Sequence, residues 1–124
     1  MDVVIQGGMW SQTLDTARYY AELDYVDKVV VSTWEDEDVS DSDVKHDSVV
    51  LLKNKKPDPE LQSMSINFHM WSSLNGVKAC DNDLIMKIRS EQRIMHHSFD
   101  KLKSFYEEHR DEPTVKYLDG SKQE

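Results

Sequence analysis

Three consecutive residues, Arg89, Ser90 and Glu91, have side chains suited to a diphosphate site. A guanidinium can bind phosphate oxygens in a bidentate way, and a carboxylate beside it can hold one side of a divalent cation such as Mg2+ or Mn2+. The alternative is a surface ion pair between Glu91 and Arg89 or Arg93, worth about 0–1 kcal/mol. On spacing alone, the ion pair is the simpler interpretation.

Two other strand-like runs also end in residues that could meet a ligand. The first run ends at Gln6 and a Gly7-Gly8 pair, and the second ends at Thr33-Trp34. Because the carboxyl ends of parallel strands meet at one edge of a sheet, we expect these groups and Arg89-Ser90-Glu91 to surround one pocket. The glycine pair lacks the spacing of a dinucleotide loop and the Gly-Lys-Ser ending of a phosphate loop, so by itself it indicates only a turn.

The five histidines do not form a metal-binding set. His96 and His97 are adjacent, so on a helix their side chains point about 100° apart and cannot both face one ion. His69 lies in a mostly apolar segment, where a core histidine is the more common interpretation. Ser90 has no nucleophile-elbow motif around it, so hydrolase chemistry is unsupported. The residues identify no catalytic base.

Runs of β-branched residues predict the strands that position these groups. Val3–Ile5 and Val29–Val31 are two such runs, and between them a helix that begins near Thr13 has apolar positions at spacings of three and four. Strands that are apolar throughout indicate a parallel sheet covered on both faces. We therefore predict an α/β fold with a small, mostly parallel sheet flanked by helices.

The rest of the chain predicts further elements of the same kind. Two apolar stripes on the helix predicted at 60–79 indicate burial nearly all round. The other predicted elements are strands at 48–52 and 83–88, a helix at 95–109 and an edge strand at 114–118.

Length and charge limit the class of protein. The 124 residues predict one domain spanning 1–124 with a disordered tail at 120–124. A net charge of -9 argues against nucleic acid as a partner, and the lack of a long apolar run argues against a membrane span. Cys80 is the only cysteine and no signal peptide precedes the first strand, so we expect a cytoplasmic protein.

Two charged segments of opposite sign follow the second predicted strand. Residues 35–43 include six acidic residues and no basic one, which is typical of a mobile loop. The segment 53–59 carries three lysines, whose charge could serve a phosphate. The lysines stand out because the chain as a whole is acidic.

Several sequence blocks occur in the order found in a known family. Residues 3–7, 29–34, 72–79 and 86–92, together with Asn67, resemble the WavE family of lipopolysaccharide-synthesis proteins over roughly residues 3–95. The resemblance implies the nucleotide-diphospho-sugar-binding half of a GT-A type glycosyltransferase fold. It also implies hexosyl transfer from a nucleotide-sugar donor to a glycan or lipid-linked acceptor.

The same resemblance assigns residues to a donor site. Glu91 would bind Mg2+ or Mn2+, because Arg89-Ser90-Glu91 stands where the family typically has Arg-Ser-Asp. No catalytic base is assigned. The nucleotide-sugar-binding residues that the resemblance implies are Gln6, Gly7, Thr33, Trp34, Asn67 and Arg89.

A non-catalytic α/β interaction module that has lost donor binding is the alternative. Phe68 stands where the family tends to have an arginine able to meet the diphosphate. The segment after Glu91 is short for the acceptor half of a GT-A domain, so we expect a truncated or compact member, or one completed by a second chain. In this alternative, the acidic loop 35–43 and the helix that starts at Met95 contact a partner protein.

Overall fold

The computed structural model describes residues 1–57, 66–94 and 96–109. Residues 1–93 form one compact unit, and the described residues from 94 onward belong to a second. One domain over 1–124 stays a prediction. The edge strand predicted at 114–118 and the tail predicted at 120–124 lie outside the described residues.

The first unit is built on a four-stranded sheet in which every neighbouring pair of strands is parallel. The strand order is β3-β2-β1-β4. This arrangement confirms the predicted α/β fold. The strands are β1 (Asp2–Gln6), β2 (Lys28–Trp34), β3 (Val49–Asn54) and β4 (Ile85–Arg89), and the helices between them are α1 (Thr13–Ala21), α2 (Asp41–Val44) and α3 (Ile66–Lys78).

The core lies around the two central strands. Val3 pairs with Val29 and Ile5 with Val31, and all four side chains are buried. Helices cover both faces of these strands, so the apolar residues run continuously instead of alternating with polar ones. Burial of each such side chain contributes about 1.5–3 kcal/mol, so this cluster is a main source of stability.

Helix α3 packs on the sheet through small residues, which corrects the prediction that it is buried nearly all round. Ser72 and Gly76 are buried. A β-carbon at Gly76 would lie 2.5 Å from Val4 Cγ1, so helix and strand approach as closely as a glycine allows. The large apolar residues point away from the sheet and are exposed: Met70 by 64%, Trp71 by 43%, Leu74 by 47% and Val77 by 40%.

Buried hydrogen bonds set the rotation of α3 about its axis. Ser32 Oγ donates to the Ser72 carbonyl oxygen (2.7 Å) and accepts from Asn54 Nδ2 (2.9 Å). The Ser72 hydroxyl lies 2.9 Å from Gln6 Oε1, to which it can donate. A buried polar group left without a partner costs about 1–3 kcal/mol. The side of α3 that faces the sheet is therefore the one that gives these buried polar groups partners and allows the close approach at Gly76.

Lysines from β3 and the residues after it hold the acidic segment 35–43. Lys53 Nζ donates to two carbonyl oxygens of this segment at 2.9 Å each, and Lys56 pairs with Asp36 at 2.9 Å. Residues 41–43 open α2, with Ser40 as the N-cap, where the sequence predicts only a loop. These two lysines thus hold the acidic segment and offset part of its charge, although the sequence suggested that they could serve a phosphate.

Asp2 is buried at the start of β1 and accepts three hydrogen bonds. They come from the backbone N–H groups of Asp81 (2.8 Å) and Asn82 (3.2 Å) and from Asn82 Nδ2 (2.6 Å). Burial raises the pKa of the carboxyl group, but the hydrogen bonds and the charge of Lys28 outweigh it and hold the pKa of Asp2 below its ordinary 3.8.

This lowered pKa predicts a loss of stability in acid. A group with a depressed pKa in the folded state stabilises the fold fully above its unfolded pKa, and the effect disappears as the pH falls through the folded pKa. Asp2→Asn should lower the free energy of unfolding by about 1–3 kcal/mol near neutral pH. Below about pH 4, the urea midpoint of the variant should depend less on pH than that of the unaltered chain. Urea unfolding across pH measures both effects. Asp83→Asn, at an exposed site, is the control. If Asp2→Asn loses stability in acid as steeply as the unaltered chain does, the prediction is wrong.

The second unit is described for Ile94 and for α4 (His96–His109), which confirms the helix predicted in this region. Phe105 is exposed, and its ring centroid lies 4.4 Å from that of His109. The side chains of His96 and His97 lie outside the described part of the chain. None of the described helices has the length and hydropathy that crossing a bilayer requires.

Candidate functional site

The strand order creates a switch point between β1 and β4. The chain runs from β1 outward through β2 to β3, and then returns to place β4 on the other side of β1. In open parallel sheets, the loops that leave two such strands diverge and leave a crevice at the carboxyl edge. Here they border a cleft of about 470 Å³.

The cleft brings together five of the residues that the sequence placed in a donor site. They lie at or just after the carboxyl ends of β1, β2 and β4, as expected of groups at one edge of a parallel sheet. Thr33 is fully buried and does not line the cleft, because alternate residues of a strand point to opposite faces. Asn67 is in the first turn of α3, and its side chain lies outside the described part of the structure. The five residues that line the cleft are Gln6, Gly7, Trp34, Arg89 and Glu91.

The loops after β1 and β4 are in close contact at Gly7. Gly7 has a φ of 126°, a conformation that side-chain-bearing residues rarely adopt. A β-carbon there would lie 2.6 Å from Ser90 Oγ. Ser90 N–H donates to the Gln6 carbonyl oxygen (2.8 Å), while the buried Ser90 hydroxyl has no hydrogen-bond partner among the described residues. The cleft floor thus requires glycine at position 7 and contains an unsatisfied hydroxyl.

Thr13 locks the first turn of α1 to both loops. Its hydroxyl donates to the Ser90 carbonyl oxygen (3.1 Å) and accepts from the Trp10 N–H (3.0 Å). Thr13 is the first residue of α1, and it bridges the helix to both loops through its side chain. The cleft wall is therefore fixed by side-chain hydrogen bonds as well as by the sheet.

Two tryptophans line the cleft, and they differ in exposure. Trp34 is 7% exposed, and its ring meets Phe68 edge-on at a centroid distance of 5.4 Å. Trp10 is 57% exposed and has the accessible ring surface that stacking on a base needs. Trp71 does not line the cleft. Of the two tryptophans that line the cleft, Trp10 therefore fits stacking on a base better.

The charged groups of the cleft form an ion pair that a ligand can displace. Arg89 Nε lies 2.7 Å from Glu91 Oε1, and both side chains are partly exposed. Such a pair is worth about 0–1 kcal/mol, so exchanging it for a diphosphate costs little. Glu37 is a second carboxylate in the cleft.

A divalent cation in this cleft would depend on its ligand. Among the described residues, no group of three His, Cys, Asp or Glu side chains could hold a metal ion. Carboxylate oxygen suits Mg2+ or Mn2+, and these ions commonly take further ligands from substrate phosphates and water. Glu91 therefore fits a cation that arrives with a diphosphate, and it does not form a metal centre by itself.

The other lining residues include Glu37 and His69, which the sequence did not place at the site, and Phe68. His69 Nδ1 lies 3.5 Å from Gln6 Nε2. One feature of the sequence could have placed Phe68 and His69 at the cleft. They lie at the start of a crossover helix, and such a helix begins near the edge where the strands end. Glu37 lies in the acidic segment after β2, and its charge had suggested a solvated loop.

The comparison with protein families decides the assignment. The model of the family described as WavE lipopolysaccharide synthesis matches residues 3–118, nearly the whole chain. The chain belongs to the WavE family. No curated protein and no solved structure matches it. Membership confirms the resemblance identified from the ordered sequence blocks and supports a role in lipopolysaccharide synthesis.

Proposed function

We propose that the chain is a nucleotide-sugar-dependent glycosyltransferase domain that acts in lipopolysaccharide or surface polysaccharide synthesis. The observation that carries this proposal is that Gln6, Arg89 and Glu91 share one cleft at the switch point of a parallel sheet. Ligands of such sheets bind at this position. Membership of the WavE family supports the pathway. The donor is a sugar linked to a nucleoside diphosphate, and the acceptor is a glycan or a lipid-linked sugar.

The proposed reaction is a displacement at the anomeric carbon of the donor sugar. The acceptor hydroxyl oxygen bonds to this carbon, its proton passes to a base, and the nucleoside diphosphate leaves with the electrons of the broken bond. Arg89 would bind the diphosphate and stabilise the charge that develops on it. Glu91 would hold Mg2+ or Mn2+ together with the diphosphate, and a bound cation supplies further charge neutralisation.

Gln6 and Trp10 would orient the nucleoside. Because Gln6 Oε1 can accept the Ser72 hydroxyl, its Nε2 group remains to donate to a ligand oxygen or to His69. Trp10 would stack on the base through its exposed ring. Together with Arg89, these groups give the cleft a donor of hydrogen bonds, an aromatic surface and a cation.

Nucleotide binding is expected to raise the thermal midpoint. A ligand at 100 times its dissociation constant stabilises the folded state by about 2.7 kcal/mol. UDP-, GDP- and TDP-sugars, with and without Mn2+, are the probes, and CMP-sugars test the need for a second phosphate. Arg89→Gln should weaken binding by roughly tenfold or more, because charge-assisted hydrogen bonds contribute about 1.5–3 kcal/mol. Arg93→Gln is the matched control, since this guanidinium lies 4.6 Å from the Tyr19 ring centroid and does not line the cleft.

The metal contribution has its own variant. Glu91→Gln should remove only the part of the shift that depends on Mn2+. If no nucleotide moves the midpoint at millimolar concentration, the proposal fails. A non-catalytic interaction module then becomes the better conclusion. Phe68 favours that second function. It packs on Trp34, and it stands where the family tends to have an arginine able to meet the diphosphate.

We place this activity in the cytoplasm. Cys80 is a free, half-buried thiol, and burial raises its pKa, so it stays protonated and unreactive at neutral pH. An unpaired cysteine of this kind is common in reducing compartments.

A further inference from the structure

The outward face of α3 is apolar to a degree unusual for a surface helix. Met70, Leu74 and Val77 are spaced four and three residues apart, so they form one stripe, and Trp71 lies beside it. Single exposed apolar residues are common on proteins, but a continuous stripe marks an interaction surface. We call these four residues the α3 stripe.

Charge around the α3 stripe differs from that of the rest of the chain. No aspartate or glutamate occurs from residue 66 to residue 80, although the net charge of the chain is -9. Lys78 is seven residues from Trp71 and therefore lies on the same side of the helix. Trp71 Nε1 donates to the Lys55 carbonyl oxygen at 3.2 Å, which places Lys55 on that side as well. One border of the stripe is thus basic.

The other border is also basic. Lys87 is in register with Val4, and Val4 lies directly beneath Gly76, so Lys87 projects from the sheet face that α3 covers. Lys55, Lys78 and Lys87 are exposed, and within the described residues none of them forms an ion pair. The apolar stripe therefore lies between lysines that have no ion-pair partner in the described part of the chain.

We propose that the α3 stripe and its bordering lysines form a docking surface for a membrane that contains anionic phospholipid. Apolar side chains with a tryptophan enter the headgroup region of a bilayer, and lysines beside them meet lipid phosphates. Protein interfaces are instead depleted of lysine. A second copy of the chain would bring the same lysines face to face, which opposes self-association.

Docking would also orient the cleft. Phe68 and His69, at the start of α3, line the cleft, so the same helix contributes to the membrane surface and to the proposed donor site. Docking would bring that site near a lipid-linked acceptor, a consequence that rests on the proposed function. The docking surface itself does not depend on donor binding.

Vesicle co-sedimentation tests the docking surface. The full chain should bind vesicles of phosphatidylcholine with phosphatidylglycerol, bind phosphatidylcholine alone much more weakly, and dissociate at high salt. Met70→Gln with Leu74→Gln should reduce binding by tenfold or more. Lys78→Gln with Lys87→Gln should reduce it about fivefold for each lysine. Phe105→Gln and Lys101→Gln, at exposed positions of α4, are the matched controls and should bind as the unaltered chain does.

Three results would overturn the docking surface. They are failure of the unaltered chain to bind vesicles with phosphatidylglycerol, equal binding by the stripe variants, and a dimer in solution that Leu74→Gln dissociates. The last result would assign the stripe to a second copy of the chain. Thermal midpoints establish that each variant is folded. The nucleotide-induced thermal shift should be the same in Leu74→Gln as in the unaltered chain. A failure of the docking surface can therefore be told apart from a failure of the proposed donor site.

Discussion

Replacing Gly76 with valine is expected to lower the free energy of unfolding by about 3 kcal/mol. A β-carbon at this position would lie 2.5 Å from Val4 Cγ1 and 3.2 Å from Ser32 Cβ. Val4 and Ser32 are fully buried on the central strands and have no space into which to retreat. The helix must therefore lift from the sheet, which also strains the hydrogen bonds of Ser72. Urea unfolding gives the change in free energy, and the thermal midpoint should fall by about 10 °C.

Ser73→Val is the matched control. It introduces the same residue into the same helix three residues before Gly76, at a position that is more exposed. It should change stability by less than about 1 kcal/mol. The stability of Gly76→Ala should lie between those of the two valine variants. Alanine has about 1 kcal/mol more helix propensity than glycine, and this gain offsets part of the steric overlap. Equal stability of Gly76→Val and Ser73→Val would show that α3 does not approach the sheet at Gly76.

Gly7→Ala should lower stability and also abolish the nucleotide binding that we propose. Its φ of 126° places alanine in a region where a side chain costs about 1–3 kcal/mol. The new β-carbon would also lie 2.6 Å from Ser90 Oγ. The end of β4 and the loop after it, which carry Arg89 and Glu91, must then move away from the cleft. Urea unfolding measures the first effect, and the nucleotide-induced thermal shift measures the second.

Gly8→Ala separates this effect from a general loss of loop flexibility. Its β-carbon would meet only Glu37 Oε1, at 3.1 Å, and the end of a glutamate side chain can move aside. We expect near-normal stability and binding. Adding Ser90→Ala to Gly7→Ala should recover part of the lost stability, because it removes the overlap and leaves the backbone strain. If Gly7→Ala and Gly8→Ala behave alike, the close contact at Gly7 is not a determinant of the cleft.

The sequence was sufficient for the strands and for the edge where the cleft lies. Runs such as Val3–Ile5 and Val29–Val31 are apolar throughout, and that pattern belongs to strands covered on both faces. Once the sheet is parallel, its strand ends must meet at one edge, so Gln6, Trp34 and Arg89 could be brought together without coordinates.

The rotation of α3 was not predictable from its apolar spacing. Periodicity places the large residues of a helix against the core. Here the inward side is chosen by Ser72, whose partners Gln6 and Ser32 are distant in sequence, and by a close approach at Gly76. Neither feature has a local signature, because both depend on which residues of other strands lie beneath the helix.

The role of the acidic segment was hidden for a similar reason. Its charge indicated a loop that repels itself, and the lysines of segment 53–59 suggested a phosphate site. In the fold, Lys53 and Lys56 hold the segment, and this places Glu37 beside the cleft. Contacts between two oppositely charged segments become visible only when β2 and β3 are known to be neighbours.

The position of β4 has a consequence for the order in which the molecule is assembled. The first three strands lie within residues 2–54, whereas β4 must return to β1 from residue 85 onward. Closing this longer loop costs more conformational entropy, so pairing of β4 is expected to follow formation of the other strand pairs. A folding intermediate would then have most of the sheet but no binding crevice. The last strand to join is also a natural unit of local opening, so the site would come apart before the rest of the protein unfolds.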